Sequence, residues 1–312
     1  MYEDEKRDFI YDVSIIIVSY NPKWSDMERT LNSAISQKGI SFEIIVADDG
    51  SENSYEKEIR EYLENNNVLH YTLVMNKENK GTVCNLMSGL EVAKGKYVKD
   101  IGPGDYLYET NTLSDWIDYM EKEQLLWSFS EALYYAEEKN GISLVSTQAH
   151  PNDLKPYLRE NFLECRWNYV VIGDTALGAT MLCKTSLQYG YCKKILNKVK
   201  YAEDYIWRIM MFDGIKFGYY RKVTIYYQYG TGVSTSGKQK WKELLKRDWK
   251  SVDEIICNST INNLDKYQKK MVRGIKLRNN KVLKAFVHGE IKSVLNREYR
   301  ARKTSICLPK EK

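Results

Sequence analysis

Three groups of carboxylates in this 312-residue chain have neighbours that chemistry could use. Asp48-Asp49 closes an apolar run and precedes Gly50-Ser51, Asp105 stands behind Gly102-Pro103-Gly104, and Glu203-Asp204 opens a stretch of helical spacing. An ionised carboxylate only accepts hydrogen bonds, so Asp48 or Asp49 suits the ring N–H of uracil or guanine, or the hydroxyls of a ribose. The same pair could simply cap the next helix or close an Asx turn. Glycines ahead of Asp105 let the backbone approach a ligand closely, and a carboxylate in such a loop can ligate a hard cation that also holds phosphate oxygens. Negative charge at a helix amino terminus is favourable by about 0.3–1 kcal/mol, which alone would account for Glu203-Asp204. A sugar hydroxyl attacking an anomeric carbon, however, needs a base within hydrogen-bond reach, and this pair could supply one. Asn79-Lys80-Gly81 reads either as a turn with a solvated lysine or as a contact to the same ligand. His70, His150 and His288 show no metal-ligand spacing, and the six cysteines form no C-x-x-C pair.

The elements that must position these residues follow from periodicity. Val13 to Ser19 is a continuous β-branched run, which suits a strand buried on both faces of a parallel sheet. Asn21-Pro22 breaks it, and Met27, Leu31, Ala34 and Ile35 then fall at helical spacing. Phe42 to Ala47 gives a second strand, Ser54 to Asn65 a polar helix, His70 to Met75 a third strand, Gly81 to Lys94 a helix and Gly95 to Ile101 a fourth strand. Repeated strand–helix–strand units imply right-handed crossovers, and ligands of such sheets sit beyond the carboxyl ends of the strands. That rule gathers Ser19, Tyr20, Asn21, Asp48, Asp49, the loop around Lys80, and Asp105 about one cleft. Beyond it, Leu113 to Glu123 reads as a helix, Leu125 to Ala136 and Ile142 to Ser146 as strands, and Asn161 to Thr185 as irregular. Tyr201 to Phe212 reads as a helix and Lys216 to Tyr229 as two strand-like pieces.

Composition bounds the class. With 43% hydrophobic residues, 5 prolines and a mean hydropathy of −0.54, the chain is that of a folded protein with a sizeable core. Met1 to Asp12 is charged, and no run of about 18 apolar residues occurs, so the expected location is the cytoplasm, with the cysteines reduced. From Ser236 onward there are 21 Lys or Arg against 8 Asp or Glu, a net of +13 in a chain whose total is +5. This basic tail carries Met271, Ile275, Val282, Phe286 and Val294 near helical spacings. Its apolar stripe can pack on the rest of the protein, its basic face can rest on anionic lipid at the inner face of the cell membrane, or it can meet a partner. Few aromatics interleave its charges and no recognition motif is present, which argues against a nucleic-acid partner. No G-x-G-x-x-G follows the first strand, which sets aside a dinucleotide oxidoreductase.

Taken in order, VSIIIVSYN, EIIVADDGS, NKGTVCNLMSGLEVAKGKYVKDIGPGD and AEDYIWRIMMFDGIKFGYY resemble the family 2 glycosyltransferases over about Val13 to Ser234. The resemblance implies an α/β GT-A fold: a nucleotide-binding half with a mostly parallel sheet over about residues 13–110, fused to a mixed-sheet acceptor half over about 111–235. A basic helical extension would occupy residues 236–312. It implies inverting transfer from a nucleotide-diphosphate sugar, first among them a UDP-sugar, to a hydroxyl of a glycan or lipid-linked acceptor in polysaccharide synthesis. Tyr20, Asp48 and Asp49 would hold base and ribose, with Ser19 and Asn21 beside them, and Lys80 would face the same moiety. Asp204 would be the general base, with Glu203 next to it, and Trp167 and Tyr169 lie where the family contacts its acceptor. The family's metal-binding Asp-x-Asp is here Gly102-Pro103-Gly104-Asp105, so two usual carboxylates are glycines and Asp105 is the candidate ligand for Mg²⁺ or Mn²⁺. The glycines of Tyr229 to Lys240 suit a lid over the donor. A hydrolytic or non-catalytic nucleotide-sugar module is the competing reading.

Overall fold

The computed structural model describes residues 9–138, 141–145, 149–233, 235–259 and 263–279. Its first half alternates strands and helices: β1 (Tyr11–Ser19), α1 (Trp24–Ile35), β2 (Phe42–Asp48), α2 (Glu56–Asn65), β3 (Tyr71–Met75), α3 (Thr82–Val92) and β4 (Gly95–Ile101). β2 and β4 flank β1 and β3 flanks β2, all in parallel. The β-branched run of β1 is buried on both faces as its composition requires. Ile16 belongs to the core cluster on one side of the sheet, whereas Val13, Ile15 and Ile17 belong to the cluster on the other.

The chain then passes through the short β5 (Tyr106–Leu107), α4 (Thr112–Lys122), β6 (Trp127–Glu138) and β7 (Gly141–Leu144). Next come α5 (Lys155–Leu158), α6 (Phe162–Trp167), a π-helical turn over Asn168–Ile172, a 3₁₀ turn over Gly178–Thr180, β8 (Met181–Lys184) and α7 (Thr185–Ile195). A 3₁₀ turn over Glu203–Tyr205 leads into α8 (Ile206–Asp213), β9 (Phe217–Gln228), α9 (Gln239–Cys257) and α10 (Lys266–Arg278). The sheet runs β3-β2-β1-β4-β8-β6-β9-β5, with β7 added to β6. β8 pairs antiparallel with both β4 and β6, and β6 and β9 are parallel, so the second half is mixed.

Two expectations need correction here. Asn161 to Thr185 is not irregular throughout: it contains α6 and β8, and β8 is the strand that joins the two halves of the sheet. Lys216 to Tyr229 is one twelve-residue strand, bulged against Phe129–Ala132 of β6, instead of two pieces. The bulge supplies the local break that the sequence suggests. α7 went unforeseen although Leu187, Tyr191 and Ile195 mark its buried face.

α9 and α10 pack on the sheet and its helices. Val252, Ile256, Met271, Val272 and Ile275 join the cluster that holds Ile16, Trp127 and Trp207. Arg208 of α8 and Arg278 of α10 both donate to the carboxylate of Asp253 on α9, and both guanidiniums also bond carbonyls of the π-helical turn at Val170 or Val171. Val282, Phe286 and Val294 lie outside the described residues. Among the described residues no helix is long and apolar enough to cross a membrane. The described cysteines, Cys84, Cys165, Cys183, Cys192 and Cys257, are free thiols.

Candidate active site

A cleft of about 510 Å³ opens at the carboxyl ends of β1, β2 and β4. Ser19, Tyr20 and Asn21 line it from the end of β1, Asp49 from β2, Asp105 from the loop after β4, and Glu203-Asp204 from the turn before α8. Residues far apart along the chain thus share one hollow, in the place the sheet topology assigns to ligands.

The donor side is built from backbone locked by short polar side chains. Asn85 of α3, fully buried, donates to the carbonyls of Ser19 and Ala47 at 3.0 and 2.9 Å and so ties the ends of β1 and β2 together. Asp49 receives the backbone N–H of Lys80 at 2.9 Å on one oxygen and that of Gly81 at 2.8 Å on the other. It therefore satisfies orphan donors at the start of α3 while lining the cleft. Burial pushes its carboxyl up, and those two N–H bonds oppose the rise. Asp48 closes an Asx turn, accepting from the N–H and hydroxyl of Ser51 at 2.8 and 2.6 Å, and does not reach the cleft. Lys80 also stays out of it, with its ammonium 3.5 Å from Glu78 at the surface. Gly81, at φ +97°, packs on Lys200, where an added Cβ would come within 2.4 Å of the lysine Cγ.

Asp105 is held from several directions. Its Oδ1 accepts from the N–H of Gln228 at 2.9 Å, and its carbonyl accepts from Thr30 Oγ1 at 2.6 Å. Gln228 also donates through Nε2 to Asp26 at 3.1 Å, and Asp26 lines the cleft beside Asp105. Gly104 is required by this packing: at φ +99° a Cβ would meet Gln228 Oε1 at 2.3 Å. Burial lifts the Asp105 carboxyl to about 7, against the Gln228 bond and the charge of Lys99. Lys99 is itself fully buried, donating to the carbonyls of Asp100 and Ala179 at 2.7 and 2.8 Å, and burial lowers its ammonium to about 8. Among the described residues no group of three or more His, Cys, Asp or Glu side chains converges as a metal cage. One or two carboxylates, here Asp105 and Asp26, still fit a hard cation such as Mg²⁺, which takes its remaining ligands from phosphate oxygens and water.

Glu203 and Asp204 add two further carboxylates to the lining. Burial raises Asp204 to about 6, with Asp100 adding to the rise. Glu203 is held well above the carboxylate range by burial and then by the charge of Asp204. Asp100 lines the cleft and accepts from Gln188 Nε2 at 2.9 Å. Gly178 faces Asp204 closely, since a Cβ there would lie 2.9 Å from that of Asp204. Tyr201 and Trp241 line this side as an edge-to-face pair 5.2 Å apart, with Leu245 beside them and Thr231, Gly232 and Val233 closing the rim.

Sequence reasoning missed Asp26, Asn85, Asp100, Tyr201 and Trp241. Trp241 belongs to the basic tail, where aromatic spacing gives no hint of a cleft. Trp167 and Tyr169 do not line the cleft: Tyr169 is buried in the core, and Trp167 lies against Gly274 of α10 with the Lys270 ammonium over its ring.

A parallel half-sheet is thus joined to a mixed half, with acidic residues gathered in the cleft at the strand ends. The glycosyl transferase family 2 profile matches residues 14–185, more than half of the chain, and the protein belongs to that family. It is 28% identical over 238 residues, 75% of this chain and 83% of the relative, to the Escherichia coli UDP-Glc:alpha-D-GlcNAc-diphosphoundecaprenol beta-1,3-glucosyltransferase WfaP. Residues 1–349 of S. aureus TarS share the fold at a TM-score of 0.57 and 16% identity, covering 90% of this chain and 74% of that one. The TarS complex with UDP-GlcNAc gives a TM-score of 0.56 at 16% identity, covering 86% and 72%.

Proposed function

We propose that the protein transfers a sugar from a UDP-sugar to a hydroxyl of a lipid-linked glycan acceptor, with inversion, in cell-surface polysaccharide synthesis. The observation that carries this reading is the shared hollow: Asp49, Asp105 and Asp204 line one cleft. The nucleoside lies along Ser19–Asn21 and Asp49, where Tyr20, 51% exposed, offers a free ring face. Its diphosphate reaches Asp105. Asp204 accepts the proton of the acceptor hydroxyl as that oxygen attacks C1 of the donor sugar and the nucleoside diphosphate leaves from the opposite face. A carboxyl raised to about 6 is ionised at neutral pH yet is a stronger base than an ordinary aspartate. A divalent cation held by Asp105, with Asp26 beside it, would neutralise charge on the departing diphosphate. Beside Asp204, the Glu203 carboxyl is pushed well up by burial and by that neighbour's charge.

The relative that uses UDP-glucose and a diphosphoundecaprenol-linked GlcNAc supports this donor and acceptor class. Such an acceptor lies at a membrane, where the basic residues from Ser236 onward would meet anionic lipid, each contributing about 1 kcal/mol near the surface. Asp204→Asn tests the reading. We expect transfer from UDP-glucose to GlcNAc-diphosphoundecaprenol to fall by at least about a thousandfold, while the Kd for UDP changes less than about threefold. Parallel loss of UDP binding would make Asp204 a structural residue.

A further inference from the structure

Asp248, on α9, stands outside every motif of the family match, yet it is fully buried and faces the loop that carries the base. A single oxygen, Oδ2, accepts three consecutive backbone N–H groups: Lys200 at 3.2 Å, Tyr201 at 2.7 Å and Ala202 at 3.2 Å. Its Oδ1 accepts no hydrogen bond and lies 3.6 Å from the guanidinium of Arg247. Glu203 and Asp204 follow directly in the chain. The same loop touches the donor side, because the Lys200 carbonyl accepts the N–H of Val83 at 3.2 Å and Lys200 packs on Gly81, whose N–H belongs to Asp49. A continuous path of backbone contacts therefore runs from Asp49 through Gly81 and Lys200 to Asp248.

We propose that Asp248 is a positioning residue: it gathers the N–H groups of Lys200–Ala202 and so sets where Asp204 stands relative to a donor held on the Asp49 side. This rests on the assignment of Asp204 as base. Three N–H groups converging on one anionic oxygen make a strong, geometrically narrow clamp, because bonds to charged acceptors are about twice as strong as neutral ones. A burial-driven requirement alone would not select this arrangement, since an apolar residue there would serve α9 without leaving Oδ1 unbonded. Misplacing a reacting group by about 1 Å can cost about a hundredfold in rate without changing what binds. The helix supplying the clamp also brings Trp241 and Leu245 into the cleft and braces the neighbouring Tyr205 edge-to-face with Trp249 at 5.1 Å. α9 is thus part of the catalytic site.

Two variants and two readouts test this. Asp248→Asn keeps an acceptor oxygen for the three N–H groups, whereas Asp248→Ala removes it. Amide hydrogen exchange needs no substrate: with Asp248→Ala, exchange at Lys200, Tyr201 and Ala202 should quicken by at least about tenfold, and with Asp248→Asn by less than about threefold. In transfer from UDP-glucose to GlcNAc-diphosphoundecaprenol, Asp248→Ala should lower kcat by about a hundredfold while the Kd for UDP stays within about threefold, and Asp248→Asn should recover kcat to within about fivefold. Unchanged exchange with Asp248→Ala, a loss of UDP binding in proportion to kcat, or an Asn variant no better than the Ala one overturns the proposal. Asp204→Asn run alongside separates the failures, because an active Asp204→Asn variant sinks the base assignment and not the clamp. If the unaltered protein transfers nothing from this donor, the substrate class falls while the exchange measurement still decides the clamp.

Discussion

The halves of the sheet hold their functional groups by different means. In the β1–β4 half, cleft residues leave from strand ends, and their partners lie within the same half: Asp49 on Lys80 and Gly81, Asn85 on Ser19 and Ala47. In the other half Asp204, the proposed base, follows a loop between α7 and α8 whose N–H groups are held by a carboxylate of α9, and α8 itself is bound by Asp253 to Arg278 of α10. The strand ends of the first half are tied mainly within that half, with Gln228 at Asp105 and Lys200 at Gly81 as the contacts that cross over, whereas the Glu203–Asp204 side is assembled from segments beyond the sheet. Substitutions in the first half should therefore act on donor affinity, and those in the second on turnover and on cooperative stability.

The sharpest way to break this contrast is Arg208→Met. Arg208 is fully buried, bonds Asp253 and the Val170 carbonyl, and lies 4.0 Å over Trp249. Removing one member of a buried ion pair costs about 3–5 kcal/mol, which should appear as a lowered midpoint in urea with all probes coincident. A milder loss confined to α9 and α10 would mean that those helices are an appendage. Gly81→Ala comes next, acting on the donor half. Its φ and ψ of +97° and 162° are open essentially only to glycine, at a strain of about 1–3 kcal/mol for other residues. With the added clash on Lys200, UDP affinity should fall by about tenfold or more, measured by titration calorimetry. Equal affinity in variant and parent would detach the Gly81 loop from the donor site. The smallest effect is on pH dependence. Asp204 must be ionised to take a proton, so kcat should decline as pH falls through about 6. Asp100→Asn removes a like charge that helps hold Asp204 up, so this acid limb should move to lower pH with little change in the plateau. An unmoved limb would mean that another group sets it.

What the sequence discloses follows the same divide. β1, β2 and β4 are legible because strands buried on both faces must be continuous apolar runs, and the cleft follows from where such strands end. Asp49 and Asp105 are readable for that reason, whereas Asp204, in the turn before α8, is reached only through the resemblance of its Glu-Asp block. Asp48 and Lys80 are adjacent in sequence to cleft residues but turn away, since side chains alternate along a strand and since the N–H of Lys80, not its ammonium, is what Asp49 needs. β8 is four residues long, too short for periodicity to register, and α7 carries Gly190 in its middle, which weakens a helical reading. Trp167 and Tyr169 look like sugar platforms in a list of residues, but aromatic surface serves a core equally well. Asp248 left one trace: it falls four residues before Val252 and eight before Ile256, on the apolar face of its helix, where a carboxylate has no reason to stand unless something meets it.

The ion triad of Arg208, Asp253 and Arg278 marks where inheritance and mechanics part company. The family profile stops at residue 185, yet one carboxylate past the sheet answers two interior cations drawn from separate helices. A gene fragment trimmed after β9 would keep the whole matched profile and still encode an incomplete object, with Arg208 deprived of its counterion and the N–H groups of Lys200–Ala202 of the carboxylate that holds them. For anyone choosing where to cut this polypeptide, the end of α10 is the nearer limit.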